Sequence, residues 1–100
     1  MPGKYAGFIM SDNYQKNFTQ ILDEFKSGDK SKAFKKQENY LKNNPNDNVA
    51  RFNFAIMCNE TNKYDLAIKN YKQVIRNDKG HWESRFNLYI MYLDKKLFKQ

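Results

Sequence analysis

Arg51-Phe52-Asn53-Phe54-Ala55-Ile56-Met57-Cys58 recurs as Arg85-Phe86-Asn87-Leu88-Tyr89-Ile90-Met91-Tyr92, with five identities in eight positions at a displacement of 34 residues. A fixed period of this length marks a repeat architecture, in which each unit buries its apolar face only against its neighbours. Moving back another 34 residues without a gap aligns Phe18 with Phe52, Leu22 with Ile56, Ala33 with Ala67, Phe34 with Ile68 and Leu41 with Ile75. The chain reads as two full units and part of a third.

Within a unit the apolar spacing is helical. Phe18, Ile21, Leu22 and Phe25 follow i, i+3, i+4, i+7, as do Tyr64, Ala67, Ile68 and Tyr71, with Val74 and Ile75 continuing that face. Breakers fall at Ser27-Gly28-Asp29 and Thr61-Asn62-Lys63 inside units, and at Asn43-Asn44-Pro45-Asn46-Asp47 and Asn77-Asp78-Lys79-Gly80 between them. Strand-period alternation is absent. The pattern predicts an all-α stack of antiparallel helix pairs with about five helices, near 13–26, 30–43, 48–61, 64–77 and 82–95.

These residues resemble the tetratricopeptide repeat, a 34-residue helix-turn-helix unit with a small residue near the start of its second helix, an aromatic four residues on and a Pro ending that helix. Tyr64-Asp65-Leu66-Ala67-Ile68-Lys69-Asn70-Tyr71 fits that pattern best, and the first unit supplies Gly28-Asp29, Ala33 and Pro45. The resemblance implies a right-handed α-solenoid over 14–100, in repeats of about 14–47, 48–81 and a partial 82–100, preceded by an N-terminal extension over 1–13. Arg51 and Arg85 stand where the family often has Trp, Ala55 and Tyr89 where it often has Gly, and Lys79 replaces the second Pro.

Composition narrows the function. At 100 residues, 40% hydrophobic and 29% charged, the chain is one domain with enough apolar material for a core. No run approaches the roughly 18 apolar residues of a spanning helix, and Ala6-Gly7-Phe8-Ile9-Met10 is shorter than an export leader's apolar core, so a cytoplasmic location is expected. One cysteine, Cys58, and one histidine, His81, offer neither an internal disulfide nor a recognisable Cys/His metal cluster. The adjacent Asp23-Glu24 diverge by about 100° on a helix and cannot pair for acid-base work. Cys58 falls at a core position and His81 at a helix start, where it caps or packs. A non-enzymatic protein with no catalytic residue, metal or cofactor is the expectation. The net charge of +7 comes mostly from Lys and accompanies an excess of Asn, a mixture that follows from AT-rich codons as readily as from a polyanionic partner.

The first helices of successive units should line a concave face, so residues recurring every 34 form ladders across it. Phe18, Phe52 and Phe86 make one ladder, and Leu22, Ile56 and Ile90 another one turn further on. Asn53 and Asn87 follow the first ladder by one residue, with Thr19 in the first unit. A carboxamide offers donors and an acceptor suited to bidentate pairing with an extended peptide backbone. The expected function is a protein-interaction scaffold that takes a peptide or apolar helix on these eight residues. Gln15, Val49 and Glu83 occupy sites where a clamp for a terminal carboxylate would want cations.

Two alternatives stand beside this reading. One is the N-terminal repeat region of a longer enzyme such as a transferase. The other is a nucleic-acid or polyanion binder working through a convex basic stripe of Lys35, Lys36, Lys69, Lys72 and Arg76, which no nucleic-acid motif accompanies.

Two expectations concern the ends. Tyr5, Phe8, Ile9 and Met10 are more apolar than a solvated tail needs to be, and should cover part of the groove or of the first helix. The last helix is apolar all round at Leu88, Tyr89, Ile90, Met91, Tyr92 and Leu93 and has no helix after it, which predicts a homodimer with Tyr89, Tyr92, Leu93, Leu97 and Phe98 near the interface.

Overall fold

The computed structural model describes residues 5–10 and 15–95. Five helices, α1 (Gln15–Ser27), α2 (Lys30–Asn43), α3 (Asn48–Glu60), α4 (Tyr64–Asn77) and α5 (Trp82–Lys95), follow one another with no strand among the described residues. Each packs on the next, giving an all-α helical stack. None of these helices is long and apolar enough to cross a membrane.

The 34-residue period is written into the turns. Gly28 after α1 has φ +124° and Asn62, one period later, has φ 64°. Both occupy the left-handed region, which Gly adopts without penalty and Asn tolerates. Each turn closes with the same bond, Asp29 N–H to Glu24 O at 3.1 Å and Lys63 N–H to Cys58 O at 2.8 Å, so orphan helix carbonyls find partners and the second helix folds back. Thr61 falls just outside α3, where the positive φ of Asn62 breaks the helix, and its amide and hydroxyl bond to the carbonyls of Met57 and Cys58.

Helix starts repeat as well. Asp47 caps α3 by accepting from the Ala50 amide, and its other carboxylate oxygen takes the Tyr40 hydroxyl at 2.7 Å. Burial, together with that contact, pushes the Tyr40 phenol up to about 12. One period later His81 does the capping: its Nδ1 accepts from the Ser84 amide while its ring lies 4.9 Å from that of Phe52. Caps and packing are thus combined in one residue. Asp29 caps α2 through the Lys32 amide, whereas Lys63 at the start of α4 offers no side-chain acceptor.

The core runs through the stack. Alanines 33, 50, 55 and 67 are fully buried, and small residues there let neighbouring backbones approach. Phe34 meets Phe54 at 4.9 Å, and Phe52 packs against Tyr71 at 6.0 Å. Residues 52–58 are buried without interruption, with α3 packed between α2 and α4. The related stretch of α5, the last described helix, is more open: Tyr89 is 59% exposed where Ala55 is 0%.

Candidate functional site

Asn53 and Asn87 sit in the middle of α3 and α5, one period apart, and both are fully buried. Two carboxamides inside an apolar stack need polar partners. The chain's own N-terminal segment supplies them. Asn53 Oδ1 accepts from the Ile9 amide at 2.8 Å, and its Nδ2 donates to the Ile9 carbonyl at 2.7 Å. Asn87 repeats the pairing on Ala6, accepting from its amide at 2.7 Å and donating to its carbonyl at 3.0 Å. Each asparagine reads both backbone groups of a single residue, a contact indifferent to the side chain carried there.

Geometry sets the three-residue interval. In a flat strand, residues three apart face opposite sides. A threefold extended path rises about 3.1 Å per residue and returns the same side after three residues, covering about 9 Å. Ala6 and Ile9, three residues apart, present their backbones to Asn87 and Asn53 as such a path allows. The segment runs from α5 past α3 to α1, opposite to the order of the helices.

At α1 the contact is aromatic. Phe8 meets Phe18 at 5.3 Å and Phe25 at 6.2 Å, both edge-on, and Tyr5, Ala6, Phe8 and Ile9 are all partly buried against the main core. Gly7 between them is exposed with open space around its α-carbon. Asn87 Nδ2 also donates to the Tyr71 hydroxyl at 3.3 Å. Burial raises that phenol well above its ordinary value, so it stays protonated and the network carries no charge.

No family model matches this chain, and neither a curated protein nor a solved structure matches it.

The ladder residues divide between core and surface. Phe18 and Phe52 are fully buried, and Phe52, held between Tyr71 and His81, is a packing residue between units with no surface to offer a partner. Ile56 and Ile90 are buried, Leu22 is half-buried, and Phe86 is 36% exposed, its ring tilted against that of Trp82 at 6.3 Å. Of the residues named for dimerisation, Tyr89 and Leu93 are exposed and Tyr92 is half-buried, while Leu97 and Phe98 lie outside the described residues. Ile75, Arg85, Leu88, Tyr89 and Tyr92 line a shallow depression. One period earlier the corresponding positions are Leu41, Arg51, Phe54, Ala55 and Cys58, of which all but Arg51 are buried.

Arginine and lysine side chains acquire roles that residue type alone did not reveal. Arg51 Nη2 donates to Pro45 O, and Arg85 donates from Nε and Nη2 to Lys79 O, so both arginines tie down the loop six residues upstream. The signal was present in the sequence, since Pro45 and Lys79 are one period apart. Lys36, placed in the convex stripe, is held by Glu24 at 2.6 Å, and Lys32 joins them at 3.5 Å. Cys58 is fully buried, and burial pushes its thiol up to about 12 against the opposing pull of Lys63.

Proposed function

We propose that the chain is a tetratricopeptide-like, non-enzymatic interaction module whose concave face binds an extended peptide. The observation that carries this reading is the pair of bidentate contacts from Asn53 and Asn87 to backbone three residues apart. The repeated turns, caps and arginine ties support assignment to that repeat class. Backbone pairing supplies register and orientation, and aromatic contact on α1 supplies apolar area at roughly 25 cal/mol per Å². Peptide display on the full chain tests it. Enriched peptides should lose binding to the Asn53→Ala plus Asn87→Ala variant, and equal binding to that variant overturns the reading. Phe52 is unsuited to the test, because truncating it opens a cavity in the core.

Self-association is a second proposal, favoured by the exposure of Tyr89 and Leu93 beside the depression on α5. A second copy would cover Tyr89 and Leu93 there.

A further inference from the structure

We infer that residues 5–9 are a built-in copy of the groove's ligand, so that the partner is an extended peptide with an aromatic–small–any–aromatic–aliphatic pattern that must displace them. The inference rests on the peptide-groove reading above and specifies its ligand. Three observations carry it. Ala6 and Ile9 give both their backbone groups to the two asparagines, which is the pairing an external peptide would make. Phe8, one residue before Ile9, is seated edge-on against Phe18 and Phe25, defining an aromatic position. Tyr5, Phe8 and Ile9 are partly buried while Gly7 faces solvent, so the position between the small residue and the aromatic is unconstrained.

Occupation by a tethered segment has a calculable consequence. Only residues 11–14 separate Met10 from α1. A tether that short holds its ligand at an effective concentration on the order of 1 mM. For a free peptide with Kd of about 100 μM, the internal copy weakens apparent binding by about tenfold, because only the open fraction is competent.

The test uses the full-length chain and a labelled, end-capped hexapeptide with the sequence of residues 5–10. Phe8→Asp with Ile9→Pro opens the groove: the first change removes the aromatic anchor, and the second removes the amide that Asn53 accepts, without shortening the chain. The hexapeptide is expected to bind this variant at least about tenfold tighter than the wild type. Equal affinity for the two overturns the internal-ligand proposal and leaves the groove reading standing. Binding to the opened chain that survives Asn53→Ala plus Asn87→Ala overturns the groove reading itself. Binding to neither chain overturns the proposal, with the display selection judging the groove separately. A second measurement needs no variant: excess hexapeptide added to the wild type should accelerate hydrogen exchange at its own Ala6 and Ile9 amides, and unchanged protection under saturating peptide refutes displacement.

Discussion

Replacing Asn53 by Ala removes two hydrogen bonds, at 2.8 and 2.7 Å, from the segment that crosses the stack. At about 1 kcal/mol net for each, the direct loss is about 2 kcal/mol. Ordering a residue's backbone costs about 1–2 kcal/mol, so a segment held by four such bonds and partly buried side chains is marginally docked. A loss of 2 kcal/mol should release it, and the freed Ala6 and Ile9 groups then hydrate rather than remain buried and unpaired. Release caps the damage. Global stability should fall by about 1–2 kcal/mol, roughly 4–16 °C in Tm for a domain of this size. Asn87→Ala should behave alike, and because either change alone frees the segment, the double variant should cost at least about 1 kcal/mol less than the two singles added together. Denaturant melts of the four proteins in the cycle, with hydrogen exchange at the Ala6 and Ile9 amides, provide the assay. Additivity within about 0.5 kcal/mol, or wild-type protection of Ala6 in Asn53→Ala, would refute the reasoning, since each means that the clamps act independently.

Other expectations follow from single contacts. Cys58 should not react with an aromatic disulfide reagent at pH 8 until the chain is denatured, because burial keeps the thiol protonated; labelling of the native protein at the rate of a free thiol contradicts this. Glu24 has its carboxyl lowered, first by the hydrogen bond from Lys36, so its contribution to stability is present above about pH 4.5 and is lost as pH falls through the lowered folded value. Glu24→Gln should therefore flatten the acid limb of a stability–pH curve and leave the neutral-to-basic limb unchanged, and an unaltered acid limb counts against the ion pair. Sedimentation at micromolar concentration should show a dimer that Tyr92→Glu weakens; a folded, monodisperse wild-type monomer rejects self-association through α5.

The repeat period by itself determines most of the architecture. Helices are local, their faces are spelled at i, i+3, i+4, and a 34-residue displacement relates turns, caps and buried alanines position by position, so Gly28 predicts the role of Asn62 and Asp47 that of His81. The amide chemistry of Asn53 and Asn87 was legible for the same reason: two carboxamides one period apart on first helices suit bidentate pairing with a peptide backbone. Tertiary structure alone decided what they grip, because Asn53 lies 44 residues from Ile9 and Asn87 lies 81 from Ala6, and no periodicity links a non-repeating segment to a repeat. It also decided that Phe18 and Phe52 belong to the core while Phe86 reaches the surface. A position's exposure depends on which helix comes next in the stack, and the same register is buried between two neighbours on α3 and open on α5.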